Sequence, residues 1–150
     1  MGDMSSESCP MPRRDQDELV RTILGRAQTV AIVGMSPNPD RPSHEVGLYL
    51  RQYGYIVIPV HPKAKEIAGL QAYPDLDAIP ADQGVDIATL FVAGERTGPI
   101  IEQVARTGAK VVYFQPGAEN AASEERAREL GLQVFSGRCI MADHTRLIRS

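Results

Sequence analysis

The sequence has few cysteines, no tryptophan and no long hydrophobic run. Only Cys9 and Cys139 occur among its 150 residues, which gives no disulfide framework and favours a reducing, cytoplasmic location. No apolar stretch approaches the roughly 20 residues that span a bilayer, and the N-terminus lacks the apolar core of a signal peptide. We therefore expect no membrane partner.

An excess of positive charge is also missing. The formal net charge is −3, whereas a nucleic-acid-binding domain needs a basic surface to neutralise phosphates. The hydrophobic content of 43% and the charged content of 23% are ordinary for a soluble globular domain. We expect no nucleic-acid partner and a single domain over residues 15–150, preceded by a polar, disordered tail over residues 1–14 in which Cys9 is an exposed thiol.

Short apolar runs alternate with helical segments along the rest of the chain. The pattern predicts strands over 29–33, 55–60, 70–73, 85–92, 109–117 and 132–136, and helices over 15–26, 43–53, 98–108 and 118–131, with a short helix at the end. Such alternation is typical of βαβ units, and right-handed crossovers leave few topologies. The sequence therefore predicts an α/β fold: a Rossmann-like open, mostly parallel sheet with helices on both faces.

The stretch over residues 29–47 predicts a ligand site. The apolar run over 30–33 does not alternate, as expected of a strand covered on both faces. Gly34 marks a sharp turn, and Ser43 is placed to cap the following helix. In an open α/β sheet this first crossing faces the ligand crevice. Backbone N–H groups at the start of the helix would hold an anion there, most often a phosphate.

The loop after this strand lacks the glycine-rich fingerprint of dinucleotide-binding domains. Two prolines, Pro37 and Pro39, make it rigid instead, so that it displays its side chains. We predict that the loop binds a pyrophosphate through its backbone and side chains, with these binding residues: Gly34, Ser36, Pro37, Asn38, Arg41 and Ser43. The alternative interpretation is a rigid connector without a ligand.

The ends of two further strands indicate which nucleotide is bound. An NAD-binding domain places an acidic residue after its second strand, whereas this chain has His61 and Lys63 there. A lysine attracts a ribose phosphate, which favours coenzyme A or NADP, although Lys63 can also be an ordinary surface lysine. The small residues at the end of the 85–92 strand leave room for an adenine or a pantetheine chain, or simply pack: Val92, Ala93 and Gly94.

Four motifs resemble those of small CoA-binding proteins. They are GMSPNPDRPSH from Gly34, IPVHPK from Ile58, YFQPG from Tyr113, and GRCIM from Gly137. These proteins are single Rossmann-like domains similar to the CoA-binding domain of the succinyl-CoA synthetase α subunit, and the resemblance covers residues 15–148. It implies that coenzyme A is the cofactor.

The resemblance also implies a role for each part of the predicted site. Ser36 and the segment 41–43 would contact the CoA phosphates, and Lys63 would face the phosphorylated ribose. The end of the 85–92 strand would line the cofactor. Arginines found there in many members are replaced by Val92 and Ala93, and Arg96 lies near enough in sequence to compensate.

Residues that could perform chemistry are few. A Cys139 thiolate next to Arg138 could be activated and form a mixed disulfide with the CoA thiol, or Cys139 can be a small buried residue. His44 can bond a phosphate or sit on the surface. His144 lies five positions after Cys139 in a predicted helix, and this spacing does not by itself make a dyad. No carboxylate pair or metal-ligand spacing stands out.

The sequence therefore predicts a CoA or acyl-CoA binding module that is non-catalytic or regulatory. The succinyl-CoA synthetase α subunit reacts through a histidine of a second domain, which has no counterpart in this chain. Two enzymatic alternatives remain: an NADP-dependent reductase, against which the missing fingerprint counts, and a CoA-thiol transferase using Cys139. A homodimer or a protein partner is compatible with the sequence.

Overall fold

The architecture centres on a five-stranded parallel sheet, as given by a computed structural model that describes residues 11–149. The strands in chain order are β1 (Thr29–Val33), β2 (Ile56–Val60), β3 (Glu66–Ile67), β4 (Leu70–Gln71), β5 (Ile87–Leu90), β6 (Val111–Phe114) and β7 (Gln133–Ser136). The main sheet has the order β2-β1-β5-β6-β7, and all its pairs are parallel. The predicted Rossmann-like parallel sheet is confirmed.

Helices cover both faces of this sheet. They are α1 (Met11–Arg26), α2 (Pro42–Gln52), α3 (Thr97–Arg106), α4 (Ala121–Glu129) and α5 (Ile140–His144), which continues into a π-helical turn over Thr145–Arg149. Apolar residues of α1, α2 and α5 pack with Val30 and Ile32 of β1, whereas those of α3 and α4 pack with Ala31 and Val33. Alternate residues of one buried strand thus serve two separate cores. Within residues 11–149 no helix is long and apolar enough to cross a membrane.

The first helix and the predicted third strand differ from the sequence prediction. Helix α1 begins at Met11 rather than at residue 15, and the rest of the predicted tail, with Cys9, lies outside the described residues. The predicted strand over 70–73 does not join the main sheet as a full strand. Its first half pairs with β3 in a two-residue hairpin, because Ala68 and Gly69 both adopt positive φ angles, as a tight hairpin turn requires. Its end forms a single bridge from Tyr73 to Val60.

A buried ion-pair network joins the C-terminal segment to α1. The guanidinium of Arg138, a residue only 7% exposed, donates to Asp143 Oδ2 at 3.0 Å and to Asp17 Oδ1 at 3.0 Å. Its remaining nitrogen donates to Gln16 Oε1 at 2.9 Å. The Tyr113 hydroxyl donates to Asp143 Oδ2 at 2.9 Å, and burial raises the pKa of this phenol above its usual value. The network fixes the polypeptide on either side of the turn that carries Cys139.

Candidate functional site

Two cavities lie at the carboxyl edge of the sheet, where an open α/β fold places its ligands. The Cys139 cavity has a volume of about 500 Å³ and is lined by the β1–α2 loop and by residues that follow β6 and β7. The Arg96 cavity has a volume of about 460 Å³ and is lined by residues that follow β2 and β5 and by the turn after Tyr73. Gly34 and Phe91 line both cavities, so the two adjoin where β1 and β5 end.

Gly34 is the turn at the junction of the cavities. Its φ angle is +88°, and a Cβ atom there would lie 2.5 Å from the carbonyl oxygen of Phe91. Its N–H donates to the carbonyl of Val60 at 2.9 Å. Only glycine permits both this backbone conformation and this close approach. The sharp turn that the sequence predicts is therefore present, and it brings the ends of β1, β2 and β5 together.

The β1–α2 loop is shaped by its own polar side chains. Ser36 Oγ accepts from the N–H of Asn38 at 3.0 Å, and Asn38 Oδ1 accepts from the N–H of Asp40 at 2.9 Å. Side chains that bond the backbone two residues further on are a common way of fixing a turn. The exposed Asn38 thus builds the loop and does not line either cavity.

Ser43 does not cap α2, which corrects the sequence prediction. The helix begins one residue earlier, at Pro42, and Arg41 occupies the cap position. Proline is favoured at the first helical position because its fixed φ suits the helix and its missing N–H costs nothing there. Ser43 Oγ instead accepts a hydrogen bond from the N–H of Ser36 at 2.9 Å, which ties the loop to the helix. Pro42 has no N–H, and the N–H groups of His44 and Glu45 donate to the carbonyl of Arg41 at 3.1 and 3.2 Å. Among the described residues, the N–H of Ser43 is therefore the first-turn donor that stays open to a ligand.

His44 lies inside this arrangement and not on the surface. It is 5% exposed, and its Nδ1 lies 2.8 Å from the carbonyl oxygen of Ser36. A carbonyl can only accept, so the ring donates from Nδ1, and Nε2 of the neutral ring is then an acceptor. The alternative of a surface histidine is wrong. The observed contact holds the loop against α2.

The predicted binding residues divide into three groups. The Cys139 cavity is lined by Gly34, Ser36, Arg41 and Ser43. The Arg96 cavity is lined by Gly34, His61, Val92 and Ala93. The lining of neither cavity includes Pro37, Asn38, Lys63 or Gly94.

Among the residues that line neither cavity, Gly94 is explained by packing. A Cβ at Gly94 would lie 2.3 Å from the carbonyl oxygen of Glu119. A glycine is therefore required there for close contact between the segments that follow β5 and β6, whether or not a ligand is bound.

His61 organises the turn that contains Lys63. Its Nδ1 accepts from the backbone N–H groups of Lys63 at 3.0 Å and Ala64 at 2.9 Å. The proton of the neutral ring is therefore on Nε2, which makes Nε2 a donor. The half-buried His61 lines the Arg96 cavity, whereas Lys63 is exposed. The cation that lines this cavity is Arg96.

Four polar residues that the sequence did not indicate line the two cavities: Glu45, Asp75, Gln103 and Gln115. Gln115 follows β6 directly, lines the Cys139 cavity and is 3% exposed. Its Oε1 accepts from the Thr89 hydroxyl at 2.9 Å and from the N–H of Ile140 at 3.1 Å. The sequence feature that could have identified Gln115 is its position in the YFQPG motif, directly after the strand that pairs with β5.

Cys139 lines its cavity without the activating neighbours that the sequence allowed. The guanidinium of Arg138 is directed to carboxylates and to Gln16, so the contact between Arg138 and the Cys139 thiol that the transferase alternative requires is not observed. His144 Nδ1 lies 2.8 Å from the Tyr49 hydroxyl, and burial lowers the pKa of this imidazole. Between residues 11 and 149, no cluster of three or more histidine, cysteine or acidic side chains is arranged to hold a metal ion.

Comparison with known proteins places the chain among CoA-binding sequences. Residues 28–145 match the family described as "CoA binding domain". The Bacillus subtilis (strain 168) protein YneT is 34% identical over 125 residues, which are 83% of this chain and 91% of YneT. A solved structure of a hypothetical protein from Pyrococcus horikoshii OT3 has a TM-score of 0.85 and 36% identity, and the alignment covers 99% of both chains.

A larger enzyme contains a similar segment. The protein "Acetate--CoA ligase [ADP-forming] I" of Archaeoglobus fulgidus is 28% identical over 123 residues. The match covers 75% of this chain and only 18% of the ligase. The chain thus corresponds to a small part of that enzyme.

Proposed function

Because the chain belongs to the CoA-binding domain family, we propose that it binds coenzyme A or an acyl-CoA across the two adjoining cavities. The observation that carries the proposal is their junction at Gly34, beside the β1–α2 loop and the N-terminus of α2. Coenzyme A has its pyrophosphate between an adenosine 3′-phosphate and a pantetheine arm. A central anion site flanked by two cavities suits a ligand of this shape.

The pyrophosphate is placed at the β1–α2 loop in this proposal. The backbone N–H of Ser43 and the positive end of the α2 dipole favour an anion. Arg41, an exposed residue that lines the Cys139 cavity, adds a cation. The bonds from Ser36 to Ser43 and from His44 to Ser36 hold the loop in this shape without a ligand. Binding would therefore cost little ordering of the loop.

The adenosine end is placed in the Arg96 cavity. Its lining combines the apolar residues Val92 and Ile100 with the polar residues His61, Asp75 and Arg96. Apolar walls suit an adenine ring, and a planar guanidinium suits a phosphate, which it binds with two parallel hydrogen bonds. Exposed Lys63 is proposed as a second, weaker contribution to the same 3′-phosphate.

The pantetheine arm is placed in the Cys139 cavity. In this proposal the protein binds the cofactor and catalyses no reaction of its own. Val46, Pro116 and Met141 give this cavity an apolar lining that suits an extended, flexible chain. The non-catalytic or regulatory role is supported by the engagement of Arg138 and His144 in structural bonds, which leaves Cys139 without either as an activating partner.

The 3′-phosphate contact can be tested with Arg96→Ala and Lys63→Ala. We expect Arg96→Ala to weaken CoA binding by about tenfold, which corresponds to roughly 1.4 kcal/mol, while dephospho-CoA binding changes little. Lys63→Ala should produce a smaller loss with the same selectivity. Titration calorimetry of each variant with both ligands measures these effects.

The control for this test is Lys110→Ala, which removes a lysine that lines neither cavity. Equal losses for CoA and dephospho-CoA in Arg96→Ala would remove that residue from the 3′-phosphate site. If only Lys63→Ala weakened CoA binding more than dephospho-CoA binding, the 3′-phosphate would be assigned to the turn after β2 instead.

A further inference from the structure

The side chain of Gln115 is held in a fixed orientation at the wall of the Cys139 cavity. Its Oε1 accepts two hydrogen bonds, from the hydroxyl of Thr89 at 2.9 Å and from the backbone N–H of Ile140 at 3.1 Å. A backbone N–H can only donate, so the atom that faces Ile140 is the amide oxygen, and the assignment of Oε1 and Nε2 is unambiguous. The amide nitrogen must then point away from both partners.

That nitrogen has no partner in the described part of the chain. All hydrogen bonds of Gln115 in this part are made through Oε1 or its backbone, although the residue is 3% exposed. Buried polar groups are almost always hydrogen-bonded, and each exception requires an explanation. Gln115 lines a cavity of about 500 Å³, and a ligand bound in that cavity could supply the missing acceptor.

The chemistry of this donor indicates the kind of atom that it meets. A side-chain amide is neutral, whereas the cation Arg41 lies at the part of the cavity formed by the β1–α2 loop. Around Gln115 the lining comes from Pro116, Cys139 and Met141, none of which carries a charge. A neutral donor in such surroundings suits a carbonyl oxygen better than a phosphate, which would be drawn to Arg41.

We propose that Gln115 Nε2 donates a hydrogen bond to a carbonyl oxygen of the bound CoA derivative, in the part of the ligand beyond its pyrophosphate. This inference rests on the proposed function and makes Gln115 the residue that recognises the arm. Two carbonyl sources have the same chemistry: an amide of pantetheine and the thioester of an acyl-CoA.

The experiment uses two variants that differ in what they preserve. Gln115→Glu keeps an oxygen to accept from Thr89 and Ile140 and replaces only the amide donor, whereas Gln115→Met removes both functions. The matched control is Gln133→Glu, the same change at an exposed residue of β7. Thermal unfolding of all three variants shows whether the fold is retained.

Three ligands separate the parts of the molecule that are recognised. Acetyl-CoA has the arm and a thioester, S-ethyl-CoA has the arm without a thioester carbonyl, and adenosine 3′,5′-bisphosphate has neither. We expect Gln115→Glu and Gln115→Met to weaken acetyl-CoA binding by tenfold or more. Binding of adenosine 3′,5′-bisphosphate should stay within twofold of the wild type.

The pattern of losses identifies the carbonyl. A loss confined to acetyl-CoA assigns the bond to the thioester, and equal losses for acetyl-CoA and S-ethyl-CoA assign it to a pantetheine amide. Either pattern supports the proposal. Wild-type affinity for acetyl-CoA in folded Gln115→Glu, or an equal loss for all three ligands, would overturn it. Failure of the wild type to bind any of them would instead overturn the proposed function.

Discussion

Replacing Arg138 by methionine should lower the free energy of unfolding by about 3–5 kcal/mol, the usual cost of breaking a buried ion pair by removing one partner. The side chains of Arg138 and Asp143 are 5% and 7% exposed and lie 3.0 Å apart. Methionine fills similar space but removes the buried counter-charge of Asp143, whose carboxylate then keeps only the more distant, exposed Arg146 at 3.5 Å as a cationic partner among the described residues. Urea-induced unfolding, followed by circular dichroism, measures the change.

Arg146→Met is the matched control for this prediction. Arg146 also bonds Asp17 and Asp143, but its side chain is 52% exposed. Exposed pairs are worth about 1 kcal/mol or less because solvent screens them. Hydrogen bonds from Arg146 and Arg138 hold the pKa of Asp17 well below its usual range, so this carboxylate is charged at neutral pH. Losses of equal size in the two variants would show that burial of Arg138 does not set the strength of the network.

Gly34→Ala should reduce CoA affinity by more than tenfold and also destabilise the fold. An added Cβ would lie 2.5 Å from the carbonyl oxygen of Phe91 and 3.1 Å from Cγ1 of Val92. The first of these atoms belongs to the backbone, so the ends of β1 and β5 must move apart. Their displacement would change both cavities at the point where they adjoin. Calorimetric titration with CoA, together with thermal unfolding, measures the two effects.

Gly108→Ala separates steric overlap from backbone strain. Gly108 has a φ angle of +87°, almost the same as the +88° of Gly34, but a Cβ there meets nothing within 4 Å. Both variants carry the cost of a left-handed alanine, about 1–2 kcal/mol. We expect Gly108→Ala to bind CoA like the wild type. Wild-type affinity in a folded Gly34→Ala protein would mean that the ligand does not occupy the junction of the cavities.

The fold could be predicted from the sequence wherever local pattern determines structure. The strand predicted over 29–33 has the predicted bounds and is buried throughout, and the unbroken apolar run over 30–33 is typical of a strand covered on both faces. The end of α2 could also be predicted, because a glycine commonly follows a helix where the backbone turns to a positive φ angle. Gly54 has a φ angle of +97°. The β3–β4 hairpin could not be predicted, because strands of two residues are too short to show an alternation of apolar and polar side chains.

The site was less predictable, because its contacts join distant parts of the chain. The partners of the Gln115 side chain, Thr89 and Ile140, lie 26 and 25 residues away, and those of Arg138 in α1 lie more than 120 residues away. Strand ends correctly indicated where a crevice would form. Which side chains enter it depends on tertiary contacts such as the bond from Ser36 to Ser43, which takes Ser43 away from its expected role as a cap.

The central claim is that the two cavities together bind coenzyme A. It is tested most directly by calorimetric titration of the wild-type protein with CoA, dephospho-CoA, NADP and NAD under one set of conditions. The account predicts saturable binding of CoA, weaker binding of dephospho-CoA, and no comparable affinity for either nicotinamide nucleotide. Preference for NADP, or no binding of CoA at concentrations that saturate other CoA-binding proteins, would contradict it.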